Sequence, residues 1–253
     1  PGVTNNGEGS AGFHVRGGAA DQNLVLLDEA IIYNTSHFFG FFSVFNADAI
    51  KNIKLYKGDI PAKYGGRVSS VLDVRQKDGN SKQFGLTGGI GLISSRLTAE
   101  SPIFNGKGSF LIAGRASYAH LFMPLIEDIK DDKISFYDLN LKTNYEINKN
   151  NRLYLSGYFG RDIFNLSKII ENNYGNATGN LRWNHVFNDK LFSNLSFIYS
   201  KYDYQILLDF IELDWNADIT NFNVKYDLGY YVNNDLTLDF GISGLTYNLN
   251  PGE

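Results

Sequence analysis

The chain has 253 residues, a net charge of −4 and no cysteine, which excludes disulfides and thiolate metal sites and offers no basic surface for nucleic acid. Aromatics reach 15%, with 16 Tyr and 19 Phe, yet mean hydropathy is −0.23 and no run nears the roughly 18 apolar residues of a spanning helix. These figures admit a water-soluble β protein and equally a transmembrane barrel, whose strands are apolar on one face alone.

Residues 1–12 are rich in Gly, Asn and Ser and read as loop. They hold a formal GxGxxG at Gly7, Gly9 and Gly12, but a nucleotide site needs a strand before it and a helix after it. Only six residues precede Gly7, and 13–16 reads as a strand, so the match is rejected. Residues 13–15 and 24–27 read as short strands joined by a polar loop; the second is continuously apolar, as in a strand buried on both faces. Residues 33–42 carry five aromatics in ten positions with no clean period. They read as a loop pinned into a core, or as an aromatic surface that touches a ligand. Residues 43–50 read as a short helix with Asp48 near its end.

Residues 53–74 organise the chain: a strand, a crossing marked by Gly58, Pro61, Gly65 and Gly66, then a second strand. Pro61 has no amide donor, so the crossing is a turn and not part of a ladder. After the turn signal Lys77-Asp78-Gly79-Asn80 the period becomes two, which predicts one domain over 1–80 and a second over 81–253. In the first strand beyond it, Phe84, Leu86, Ile90 and Leu92 share one face, and Gly85, Thr87, Gly89 and Gly91 the other. The small face predicts another backbone packed closely against it.

About nine strands follow in series. The clearest is 136–147, with Tyr137, Leu139, Leu141, Thr143, Tyr145 and Ile147 opposite Asp138, Asn140, Lys142, Asn144 and Glu146. Residues 221–232 repeat it, with Phe222, Val224, Tyr226 and Leu228 against Asn223, Lys225 and Asp227. Tight polar turns at 148–151, 188–190 and 233–235 alternate with longer links around 119–135, 161–176 and 205–220. Strands of the roughly 9–11 residues that cross a bilayer, with short turns on one side and long loops on the other, match an outer-membrane barrel. Inward Asp138, Lys142, Glu146, Lys225 and Asp227 require a wide polar lumen and an apolar face turned to lipid. The fold class is therefore mainly β.

The motifs Tyr56-Lys57-Gly58, Tyr64-Gly65-Gly66-Arg67 and Val71-Leu72-Asp73-Val74, preceded by Phe13-His14-Val15-Arg16-Gly17-Gly18 and Leu24-Val25-Leu26-Leu27-Asp28, resemble the plug domain of TonB-dependent outer-membrane receptors, in versions common in the Bacteroidetes. The resemblance implies a small mixed α+β plug over 1–80, then the first part of a large antiparallel transmembrane barrel over 81–253. Plugged transporters have about 22 strands, so a chain that starts at Pro1 without a signal segment and stops after a strand reads as a piece of a longer protein. The resemblance further implies a multi-pass location in a Gram-negative outer membrane. Its partners would be membrane lipid, a TonB-type energy-coupling protein and a surface lipoprotein.

No enzyme chemistry is expected, because His14, His37, His120 and His185 are scattered with no HExxH spacing. The acidic run 127–133 mixes in lysines and lacks calcium-loop spacing, so no metal or cofactor is expected. By resemblance, ligand would be gripped at the plug apex by Asp21, Gln22, His37, Phe38 and Phe39. Arg16 and Arg67 would pair with barrel carboxylates at the plug–barrel boundary, or else serve as plain turn arginines. The leading function is uptake of a bulky glycan, peptide or iron chelate by plug rearrangement. A plugged-barrel subunit of an envelope assembly without transport, and a soluble secreted β-rich domain, are the alternatives.

Overall fold

The computed structural model describes residues 2–5, 12–125, 127, 132–166 and 169–252. Two sheets carry the architecture. The first has strand order β4 (Ala30–Ile31), β3 (Asn23–Leu27), β8 (Ser70–Gln76), β7 (Ile50–Tyr56), with β3 and β8 parallel and the outer pairs antiparallel. All five residues of β3 are buried because both its faces are covered. Val25 and Leu27 pack with Ile32, Val44, Val74 and Tyr158, while Leu24 and Leu26 pack with Val71, Ile60 and Tyr64. Residues 1–12 are not all loop: Val3–Asn5 forms β1 and pairs with β2 (Phe13–Val15). Gly7 and Gly9 of the rejected glycine motif lie outside the described residues, as does most of the acidic run 127–133.

No helix forms over 43–50. Phe42–Ser43 is β6, paired with β5 (Ser36–His37), and a turn follows. Asn46 decides it: its side-chain oxygen accepts from the Asp48 amide at 3.1 Å and its carbonyl from the Ala49 amide at 2.9 Å, an Asx turn that competes with helix.

The second sheet holds nine antiparallel strands, each bonded to its sequence neighbours: β9 (Gly85–Ile90), β10 (Ser94–Ile103), β11 (Gly108–Ser117), β12 (Lys133–Asn148), β13 (Asn151–Leu166), β14 (Ile170–Asn188), β15 (Leu191–Leu208), β16 (Leu213–Tyr231) and β17 (Thr237–Asn250). The tight turns share one device. Asn148, Asn188 and Asn233 each accept, through the side-chain oxygen, the backbone amide two residues on, at 3.0, 2.9 and 3.0 Å.

Two of the three expected long links are strand instead. Residues 161–166 and 170–175 pair with each other, as do 205–208 and 213–216, so β14 and β16 reach 19 residues each. A bilayer needs about 9–11 residues per strand, so these hairpins project past it. Beyond the apolar band both faces meet polar surroundings. Arg161, Asp203 and Asp218 stand where Phe159, Tyr199 and Phe222 stood nearer the middle, and the hydrophobic period disappears while the ladder continues.

The small face of β9 does not receive another backbone from the first domain. Positions Gly85 and Gly89 make room for the Glu100 and Arg96 side chains of neighbouring β10, which lie over them. The close backbone approach occurs earlier, at Gly79, where a Cβ would run into the Phe110 carbonyl.

Candidate functional site: the seam between the small sheet and the barrel wall

Along β12 to β16 the residues alternate between two environments. Asp138, Asn140, Lys142, Asp162, Asn176, Asn180 and Asn221 are buried under the first domain, while Leu139, Leu155, Phe159, Leu181, Phe197, Phe222 and Val224 lie exposed on the outside. The polar face is therefore the one that meets the first domain.

The seam has three levels. At the first, the two-residue turn Asp28-Glu29 joins β3 to β4 with φ of +46° and +75°. Asn-Gly is the usual choice for such a turn, so two carboxylate residues here hold a conformation that costs energy. The wall compensates. Lys142 Nζ donates to Asp28 at 2.7 Å, Asn180 donates to the Asp28 carbonyl at 2.6 Å, and Arg182 and Lys225 approach Glu29 at 3.5 and 3.8 Å. Arg75 of β8 adds a 3.0 Å bond to Glu29. Burial pushes the Glu29 carboxyl up, but Arg75, Lys225 and Arg182 together outweigh it and hold it below its ordinary value.

At the second level the wall is amide. Asn176 accepts from the Tyr33 amide at 3.1 Å and donates to the Asn34 carbonyl at 2.8 Å, and the Tyr33 hydroxyl donates to Asn221 at 2.8 Å.

At the third, His37 sits 1% exposed between Asp162 (Nδ1 to Oδ2, 2.6 Å) and Asp138 (Nε2 to Oδ2, 3.3 Å), its ring stacked on Phe136 at 4.4 Å. Arg115 holds Asp138 at 2.8 Å and donates to the Ser43 carbonyl at 2.7 Å. Burial works against the imidazolium, but the bonds and charges of Asp138 and Asp162 outweigh it and raise the His37 pKa. A separate pair, Arg96 to Asp48 at 2.7 Å, ties the start of the wall to the 43–49 turn.

Phe38 and Phe39 follow with φ of +52° and +54°. Phe38 packs edge-on against Phe136 and Phe42, while Phe39 is 65% exposed and Phe41 74%. The 33–42 segment is thus pinned at some rings and presented at others. A cavity of about 450 Å³ opens beside it, lined by Phe13, Asn23, Tyr33, Asn34 and Tyr202 among others.

Of the sequence-derived candidates, Asp21, Phe39 and Arg67 line this cavity. Gln22 lies beside Asp21 on the turn Ala20–Gln22, its carbonyl accepting from the Ser69 amide at 3.1 Å. His37 and Phe38 face the barrel wall instead, in the seam. Arg16 and Arg67 are exposed, and neither forms an ion pair with a carboxylate on the described wall strands. Arg67 donates to its neighbour's carbonyl at 2.8 Å, and Arg16 packs over Gly58. Of the charged groups that bridge the seam, Asp138, Lys142 and Lys225 stand out in the sequence as inward positions of alternating strands and Asp28 as the end of a motif, whereas nothing in the sequence singles out Glu29, Arg115, Asp162 or Arg182.

Residues 1–71 match the family described as TonB-dependent Receptor Plug Domain. No curated protein matches the chain by sequence. Among solved structures, the ferric enterobactin receptor PfeA from Pseudomonas aeruginosa is similar at 14% identity and a TM-score of 0.73, over 98% of this chain and 45% of its own. The FrpB iron transporter from Neisseria meningitidis is similar at 11% identity and 0.73, over 99% of this chain and 45% of its own. The copper transporter OprC follows at 12% and 0.69, over 98% and 41%. The chain spans less than half the length of these structures. Its fold is that of outer-membrane TonB-dependent receptors: plug, then barrel wall.

Proposed function

With a TonB-dependent receptor plug seated on the first nine strands of the matching barrel fold, we propose that this chain belongs to an energy-coupled transporter that takes up a bulky solute across the outer membrane. One observation carries the proposal. The polar face of the strands is bonded to the plug, while the apolar face of the same strands is left bare to its surroundings.

On this reading residues 1–80 are the plug and 81–253 the barrel. Solute arrives on the side where the long hairpins project. There it meets Asp21 and Phe39 at the cavity, with Gln22 and Phe38 beside them. A pull on the plug by a TonB-type partner works against the seam's ion pairs and hydrogen bonds and against its apolar contacts, Tyr158 with Val25 and Leu27 and Ala49 with Leu111 and Ala113. Membrane lipid covers the outer face, and a surface lipoprotein is a further partner of the projecting hairpins.

The test uses the full-length protein in cells. Solutes in the medium are followed by mass spectrometry for cells that make it, cells that lack it, and cells treated with a protonophore. The proposal expects at least one solute to be depleted only in the first. Equal depletion in all three overturns it.

A further inference from the structure

Past the His37 level the inner wall turns aromatic. Phe39 rests on Phe164, with ring centroids 4.1 Å apart, and reaches Tyr174 at 6.4 Å. Tyr174 stacks on Tyr204 at 6.4 Å and 17°, and Tyr204 meets Trp215 at 5.9 Å and 70°. These rings come from β13, β14, β15 and β16 in turn, so at about 4.8 Å per strand the row is roughly 15 Å across. Phe164 and Tyr174 are buried and serve as backing, whereas Phe39 is 65% exposed and Trp215 38%, with Gly252 against one side of its indole. The left-handed φ of Phe39 is a cost borne to aim an apolar ring at open space.

Charge at this level cancels locally. Asp138 and Asp162 face His37, with Arg115 on Asp138, and the outward Arg161 pairs with Asp203. Among the described residues lining the adjoining cavity, Asp21 and Arg67 are the charged ones, one of each sign. On the inner wall Asn172 donates to the Tyr204 hydroxyl at 3.3 Å, which sets an amide beside the rings. A polyanionic metal chelate calls for a cluster of uncompensated guanidinium or ammonium groups. The described inner wall offers ring faces and amides instead. A pyranose ring presents polarised C–H bonds on one face, complementary to the negative face of an aromatic ring, and hydroxyls at its edge that suit amides.

We propose that Phe39, Tyr202, Tyr204 and Trp215 form a stacking platform for an uncharged oligosaccharide. This rests on the transporter reading above and names the class of its solute.

The experiment measures equilibrium binding to the full-length protein in detergent, by calorimetry and tryptophan fluorescence, with maltodextrin, cellodextrin, xylan and mannan oligosaccharides as probes. At least one should bind. Phe39→Ala and Trp215→Ala should each weaken it tenfold or more, Trp215→Phe should restore most of the loss, and Trp183→Phe on the outer face should change nothing. The proposal is overturned if no probe binds, if binding ignores both alanine variants, or if an anionic ferric chelate binds through the same rings. Binding without energised uptake would sustain the platform and overturn transport; energised uptake of a chelate alone would do the reverse.

Discussion

His37 Nδ1 lies 2.6 Å from Asp162 and its Nε2 3.3 Å from Asp138, so one plug imidazole bridges carboxylates on two adjacent barrel strands. The bridge is charged only while His37 is protonated, and its pKa in the folded protein is raised. A raised folded pKa means that stabilisation is complete below the unfolded value of about 6.5 and is lost as pH rises through the higher folded value. Thermal unfolding of the full-length protein in detergent should therefore show plug attachment weakening as pH rises above the ordinary histidine value. His37→Gln should be less stable at low pH and should lose that pH dependence. A wild-type profile that is flat, or that rises with pH, would contradict the bridge.

Lys142 and Asp28 form a lysine–carboxylate pair across the seam at 2.7 Å, with both groups buried. Lys142→Met strands a buried carboxylate, and breaking such a pair costs about 3–5 kcal/mol. Adding Asp28→Asn should recover much of the loss. Protease nicking of the plug in intact outer membranes reads the effect, and equal nicking in wild type and the single variant would remove Lys142 from the account.

Leu139 and Val224, each 47% exposed, lie on the bare outer face. Arginine at either position should impair membrane assembly by about 2–4 kcal/mol near the bilayer midplane. Arginine at Lys225, already cationic and inward, should be tolerated far better. Heat-modifiable gel mobility of the full-length variants measures assembly directly.

Gly79 joins plug to barrel with its α-carbon against the Phe110 backbone, and any Cβ there meets the Phe110 carbonyl. Overpacking of this kind costs about 1–3 kcal/mol. Gly79→Ala should lower the unfolding temperature, whereas alanine at Gly65, where a Cβ meets open space, should not. Equal behaviour of the two variants would mean that the linker shifts freely.

Much of the fold is legible in the sequence, because alternation over β12 or β16 is a local signal that survives without knowledge of the partner strand. The signal stopped where its cause stopped. Past Arg161 and Asp203 there is no lipid to demand an apolar face, so paired strand read as loop. The site was less legible. Phe39 and Asp21 drew notice by type and place, but Asp28 finds Lys142 and Asn180 more than a hundred positions away, and His37 finds Asp162 likewise. Side-chain chemistry flagged these residues as polar; only topology brings them together. Arg16 and Arg67, which the resemblance places at the plug–barrel boundary, stand on exposed turns, and the wall cations Arg96, Lys142, Arg182 and Lys225 meet plug carboxylates.

The central claim is that the strands turn their apolar face to lipid and their polar face to the plug. The 253 residues hold no cysteine, so within them a single introduced cysteine is the one spin-labelling position, and the full-length protein labelled without it serves as the background in its membrane. The decisive measurement is collisional relaxation of labels at Leu139→Cys, Asn140→Cys and Leu141→Cys on β12. The account predicts strong relaxation by oxygen and weak relaxation by a water-soluble nickel complex at 139 and 141, with little of either at 140. Strong relaxation by the nickel complex at 139 and 141 would contradict it, because those side chains would then stand in water.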